Sequence, residues 1–179
     1  MTGLGSVDWP PTPIRTDRLV LRASEAGDRA AFVELFSSPE VGTYVGGAQP
    51  RDEVERTAPA VPGRRTGFFV VALGGGMIGM VSFDPHPEAG EAQLGYQFLP
   101  EFWGQGYAYE ACVAALDWFA ATHPGRQVVT TTQTANLASM RLAAKLGFTE
   151  VERFEGWGAE QWSGVWSPQP DQGVTGASR

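Results

Sequence analysis

The chain has almost none of the residues from which metal or disulfide chemistry is built. Its one cysteine, Cys112, excludes an intramolecular disulfide and a cysteine-based cluster. Two histidines, His86 and His123, do not support a His-rich centre, so no metal is expected. No run of about 18 apolar residues is present, which excludes a membrane-spanning helix on sequence grounds and predicts no membrane partner. The opening stretch MTGLGSVDWPPTPIRTDR lacks the apolar core of a secretory leader, and a cytoplasmic location is the expectation. Positive charge is also scarce: 13 Lys and Arg stand against 20 Asp and Glu, a net charge of −7. Nucleic-acid binding is therefore disfavoured, because it needs a basic face for the phosphates. The acidic balance suits a cationic partner such as an amine or a basic peptide, and it serves solubility equally well.

What remains is a chain of 179 residues with 42% hydrophobic and 18% charged residues, ordinary for one soluble domain. Residues 1–16 read as a flexible, Pro-rich arm, 17–167 as the domain, and 168–179 as a disordered Gly, Pro, Gln and Ser tail. Arg18 to Arg22 reads as a first strand. Ala26 to Phe36 has helical spacing of Ala31, Phe32, Leu35 and Phe36 and ends at Ser38-Pro39. Arg51 to Arg56 predicts a short helical turn. The β-branched and aromatic runs Gly67 to Leu73 and Met77 to Asp84 predict a hairpin turning at Gly74-Gly75-Gly76. A loop from Pro85 to Gly90 leads to a strand over Glu91 to Leu99, stopped by Pro100. Helices are predicted over Tyr107 to Thr122 and Thr134 to Leu146, with the strand Val128 to Gln133 between them and Gly147 closing the second. Phe148 to Trp157 and Glu160 to Trp166 predict a last hairpin. The order implies an α/β (α+β) fold: a mixed, mostly antiparallel sheet of six to seven strands with helices on both faces.

The chemistry concentrates between Leu94 and Ala121. There the segment Trp103-Gly104-Gln105-Gly106-Tyr107-Ala108 leads from an apolar strand into an amphipathic helix. A helix start carries backbone N–H groups without partners and the positive end of the helix dipole. Glycines before it let a bound group approach closely. The combination makes a phosphate site, read as holding the pyrophosphate of coenzyme A. A plain strand-to-helix turn with two glycines is the competing reading.

A second glycine pattern, Gly74-Gly75-Gly76-Met77-Ile78-Gly79, fits G-x-G-x-x-G but leads from strand to strand, so it does not indicate a dinucleotide site. In Thr134 to Phe148, Asn136 stands near a helix start, where its amide can cap or reach a ligand. Ser139 follows on a nearby face with a hydroxyl able to protonate a thiolate. Capping by Thr134 and Asn136, with Ser139 neutral, explains the same residues.

With TDRLVLR, SPEV at 38–41, LGY at 94–96, FWGQGYAYEA at 102–111 and TANLASMRLAAKLGF at 134–148 in this order, the chain resembles the GNAT superfamily of acyl-CoA-dependent N-acyltransferases. Within it, the chain is similar to the branch containing ribosomal-protein alanine N-acetyltransferases. The resemblance implies acetyl-CoA as co-substrate and direct attack by a primary amine of a small molecule or a protein N-terminus. It implies that the strand ending at Phe98 and Leu99 splays from Val128 to Gln133, and that their backbone pairs with pantetheine. Main-chain N–H groups of Gly104, Gln105, Gly106, Tyr107 and Ala108 would cradle the pyrophosphate, and a strand N–H would stabilise the oxyanion. Asn136 would fix the pantetheine arm, and Ser139 would donate to the departing thiolate. A homodimer is a family-level expectation.

Three positions depart from the superfamily pattern. Trp103 opens the loop where Gln or Arg is common. Ala143 stands where many members carry a Tyr acid, which leaves Ser139 or a water. Gln93 occupies the place of a common Glu, and an amide is no general base, so Glu91, Glu155 and Glu160 are the substitute carboxylates. Lys145 and Arg141 share a helix face and could meet the coenzyme's terminal phosphate. Tyr96, Phe83, His86, Trp157 and Trp162 are candidate acceptor-pocket residues. A non-catalytic acyl-CoA-binding sensor is the alternative that Gln93 and Ala143 motivate.

Overall fold

The computed structural model describes residue 4 and residues 7–86 and 91–169. Residues 87–90 of the expected loop, and the expected disordered tail from residue 170 on, lie outside the described residues. The elements are β1 (Ile14–Arg15), β2 (Val20–Arg22), α1 (Arg29–Ser37), α2 (Pro39–Gly42), α3 (Arg51–Thr57), β3 (Phe68–Leu73), β4 (Gly76–Pro85), β5 (Ala92–Phe98), α4 (Tyr107–Thr122), β6 (Val128–Gln133), α5 (Leu137–Leu146), β7 (Thr149–Gly156) and β8 (Ala159–Trp166). One sheet takes the strands in the order β1-β2-β3-β4-β5-β6-β8-β7. Every neighbouring pair is antiparallel except β5 with β6.

Alternation along the strands feeds two cores. Phe69, Val71, Val81 and Phe83 point to the layer of α4, where Ala111, Cys112, Ala115, Leu116 and Phe119 are buried. Phe68, Val70 and Met80 point to the layer of α1, against Phe32 and Phe36. Phe69, Phe83 and Phe119 are fully buried, and each such side chain contributes about 1.5–3 kcal/mol. Helices thus cover both faces.

The sheet has eight strands rather than six to seven, because the two-residue β1 pairs with β2 (Ile14 with Leu21, Arg15 with Val20). This pairing also corrects the reading of residues 1–16 as a loose arm. Leu4 is buried, His123 Nε2 and the Leu4 carbonyl are 2.8 Å apart, and Trp9 packs edge-on against Phe69 and Trp118. Apolar anchors fix the described part of this segment where its composition suggested freedom. A further correction concerns α5, which starts at Leu137 rather than Thr134. Thr134 is held elsewhere: its Oγ1 donates to Glu160 Oε2 at 2.8 Å.

Candidate functional site

The parallel pair β5–β6 is zipped at Ala92–Val128 and Gln93–Val129 and pairs no further. A hydrogen bond from Thr130 Oγ1 to the Leu94 carbonyl, 3.1 Å, marks the point where the strands part. Beyond it β5 stays bound on its other side. Leu99 N donates to the Ile78 carbonyl at 2.9 Å while Phe98 sits opposite Gly79. In an antiparallel ladder that pattern turns the main-chain groups of Phe98 and Tyr96 away from β4, toward the side on which β6 has left. The gap is part of a cavity of about 1260 Å³, at or above the roughly 300–1,000 Å³ common for small-molecule sites.

The loop expected to bind phosphate forms one rim. Gly104 (φ 73°) and Gly106 (φ 82°) are both left-handed, a conformation that glycine adopts without strain. Gly106 is the N-cap of α4 and carries no capping side chain, so the first N–H groups of the helix are left for an outside acceptor. A Cβ at Gly104 would meet nothing within 4 Å, so the crook of amides is open. The residues present therefore fit a diphosphate group. The loop is braced from behind: Trp103 Nε1 donates to the Phe98 carbonyl at 2.7 Å, and Gln105 Nε2 to the Glu101 carbonyl at 3.2 Å.

Across the gap, Asn136 caps α5, its Oδ1 accepting from Ser139 N at 3.2 Å. The capping reading of this residue is thus realised while it also lines the cavity. Tyr96 and Ser139 both line the cavity, and burial pushes the Tyr96 phenol up to about 12, with the nearby Ser139 hydroxyl acting in the opposite direction. Tyr96 is therefore a neutral hydrogen-bonding group at any working pH. Burial also pushes the Cys112 thiol up, which makes it unfit as an acyl-carrying nucleophile.

Among the residues expected at the coenzyme, Phe98, Gly104, Gly106, Tyr107, Ala108, Asn136 and Ser139 line the cavity. Leu99, Gln105 and Lys145 do not. The Leu99 N–H is committed to Ile78 and its side chain is buried. The Gln105 carbonyl is taken by Arg18. The Lys145 ammonium sits 3.9 Å from the Tyr109 ring centroid.

Glu160, one of the expected substitute carboxylates, does not reach the cavity. It is exposed, hydrogen-bonded to Thr134, and outside the cavity wall. Glu155 stands beside it in the β7–β8 hairpin, and Glu91 pairs with His86 Nδ1 at 3.3 Å. Two carboxylates do line the cavity: Glu40, whose Oε2 accepts from Ser38 Oγ at 2.9 Å, and Asp84, whose Oδ1 is 2.6 Å from Arg65 Nη1 and whose Oδ2 accepts from Ser82 Oγ at 2.8 Å; of the two, Asp84 lies on the central sheet. It is the direct cross-strand neighbour of Gln93. Sequence reasoning passed over it because only the β4–β5 register brings the two together. Of the expected pocket aromatics, Tyr96 and the 84% exposed Trp157 line the cavity, whereas Phe83 and Trp162 belong to the core.

The domain is therefore a sheet covered by helices on both faces, its central strands opening beside a crook of free amides. Residues 18–149 match the family model described as "Acetyltransferase (GNAT) domain", and the chain belongs to that family. Its class is that of acetyl-CoA-dependent acyltransferases. An uncharacterized protein, YkkB, of Bacillus subtilis (strain 168) is 32% identical over 165 residues, covering 82% of this chain and 90% of its own. The crystal structure of a GNAT-family acetyltransferase from Bacillus anthracis superimposes with a TM-score of 0.75 at 22% identity, covering 87% of this chain and 98% of that one. RimL, a ribosomal L7/L12 alpha-N-protein acetyltransferase solved in complex with coenzyme A, gives 0.72 at 20% identity, covering 87% and 98%. Among the described residues no helix is long and apolar enough to cross a membrane.

Proposed function

We propose that the protein transfers an acetyl group from acetyl-CoA to a primary amine, at a peptide N-terminus or on a small molecule. The observation that carries this reading is the unzipped β5–β6 pair, opening directly beside the uncapped start of α4. In this reading the amides around Gly104 to Ala108 hold the pyrophosphate, and the outward main chain of Tyr96 and Phe98 takes the pantetheine arm. A strand N–H there stabilises negative charge that develops on the carbonyl oxygen. The Ser139 hydroxyl, at the cavity wall near Tyr96, supplies the proton to the departing sulfur, and Asn136 fixes the start of the helix that carries it. Asp84 takes the proton of the incoming ammonium where Gln93 has no basic atom. A peptide acceptor is supported by the name of the RimL neighbour, a protein N-terminal acetyltransferase. The test is release of free thiol from acetyl-CoA in the presence of small amines and of peptides with Ser or Ala at the N-terminus. Turnover with at least one acceptor is expected. Coenzyme binding without thiol release from any of them would favour the acyl-CoA sensor instead.

A further inference from the structure

We infer that Arg18, in the segment leading into β2, orients the phosphate cradle at the start of α4 and is a positioning residue for the coenzyme's pyrophosphate. The inference rests on the acyl-CoA reading of that loop. Arg18 is far from the loop in sequence and reaches it with its whole side chain. Nη1 donates to the Gln105 carbonyl at 2.9 Å, Nε to Glu110 Oε2 at 2.7 Å, and the guanidinium lies 4.4 Å from the Tyr107 ring centroid. Its backbone N–H donates to Glu110 Oε1 at 2.9 Å, and Thr16 Oγ1 donates to the same oxygen at 2.6 Å.

Two consequences follow from elementary geometry and charge. In a planar trans peptide the C=O and the following N–H point in opposite directions. Drawing the Gln105 carbonyl toward Arg18 therefore turns the Gly106 N–H away from Arg18, to the side where Gly104 and Gly106, but not Gln105, line the cavity. With Gly104 before it and Gly106 at its end both left-handed, and only the Gln105 side chain tied to the Glu101 carbonyl, the Arg18 contact is the hydrogen bond made to this peptide unit's own carbonyl. The second consequence concerns Glu110, a carboxylate in the first turn of α4, which repels any anion bound at the helix start. Arg18 neutralises it in place.

The experiment compares acetyl-CoA with S-acetylpantetheine, a thioester lacking the phosphates, in steady-state turnover by wild type, R18K, R18M and R18M/E110Q. For R18M, kcat/KM with acetyl-CoA should fall about tenfold or more, the scale of one lost charge-assisted hydrogen bond, with most of the loss in KM. The preference for acetyl-CoA over S-acetylpantetheine should shrink by the same factor. R18K, which keeps the charge without the fork, should fall between, and E110Q should recover part of the R18M loss. A wild-type preference that R18M and R18K retain, or equal losses on both thioesters, overturns the role of Arg18 alone. A wild type with no preference and no calorimetric response to coenzyme A overturns the acyl-CoA reading itself. If R18M does not fold, R18K decides by the same ratio.

Discussion

Asp84 stands directly opposite Gln93 in the antiparallel β4–β5 pair, and its carboxylate is held by Arg65 and Ser82 at the cavity wall. Directly opposed side chains lie about 4.5–5.5 Å apart at Cβ. A carboxylate at either position thus serves nearly the same point in space. Asp84→Asn is expected to lower kcat by about a hundredfold, the lower range for a lost general base. The double variant D84N/Q93E is expected to regain part of that loss, because it moves the carboxylate across the pair. A D84N enzyme with wild-type kcat and only a lowered Tm would reduce Asp84 to the partner of Arg65.

Tyr96 on β5 and Ser139 on α5 line the same cavity. Ser139→Ala should reduce kcat about 10- to 100-fold with little change in coenzyme affinity. Tyr96→Phe should reduce it less, and the double variant should lose less than the two factors multiplied, since the Ser139 hydroxyl acts on the Tyr96 phenol. The raised phenol also gives a pH signature. A proton held more tightly in the folded state than in the unfolded one stabilises below the ordinary value of 10.0 and ceases to do so as the pH rises through about 12. Y96F should therefore weaken the alkaline destabilisation seen in thermal melts between these limits. Unchanged alkaline melts in Y96F would remove Tyr96 as their source.

The sequence disclosed the parts that depend on local pattern. The bounds of α4 and β6 coincide with the periodic and β-branched runs that predict them. The glycine loop, Asn136 and Ser139 were legible because their chemistry sits within a few residues. β1 was not, since a two-residue strand exists only through its partner. α2 was missed because Pro39 was read only as a stop for α1. It is also the first residue of a new turn, with Ser38 Oγ accepting from Val41 N at 3.3 Å. Arg18 and Asp84 were illegible for the same reason as β1: one meets Glu110 at a separation of 92 residues, and the other meets Gln93 through strand register.

Glu110 should govern part of the acid stability. Burial by itself would raise its carboxyl, but hydrogen bonds from Thr16 and Arg18, with the Arg18 charge, outweigh that and hold it below the ordinary carboxylate range. A depressed carboxyl stabilises the fold above its ordinary value, and that contribution is lost as pH falls through the depressed one. Glu110→Gln should thus lower Tm near neutrality and flatten its decline below about pH 5. Glu150 is lowered as well, by Arg153 and Trp162, but its side chain is 47% exposed against 18% for Glu110, so solvent screens its ion pair. E150Q should leave the acid limb nearly as it is. Equal effects from the two variants would contradict this ordering.

Gly106→Ala separates backbone strain from coenzyme binding. Alanine at φ 82° is left-handed and costs about 1–2 kcal/mol. Its Cβ would lie 3.4 Å from Arg18 Nη2, an ordinary contact, so strain and not collision is the expected cost. Gly74, in the β3–β4 turn at φ 58° with open space around it, provides the matched control. Both substitutions should lower Tm by a similar amount, roughly 2–8 °C for a domain of this size. Only G106A should also lose the rise in Tm that saturating coenzyme A gives, because relaxation of the strained residue turns its N–H out of the cradle. At a coenzyme concentration of about 100 Kd that rise corresponds to about 2.7 kcal/mol in wild type, well above the strain itself. A G106A protein stabilised by coenzyme A as strongly as G74A would show that the amide at residue 106 plays no part in holding the diphosphate.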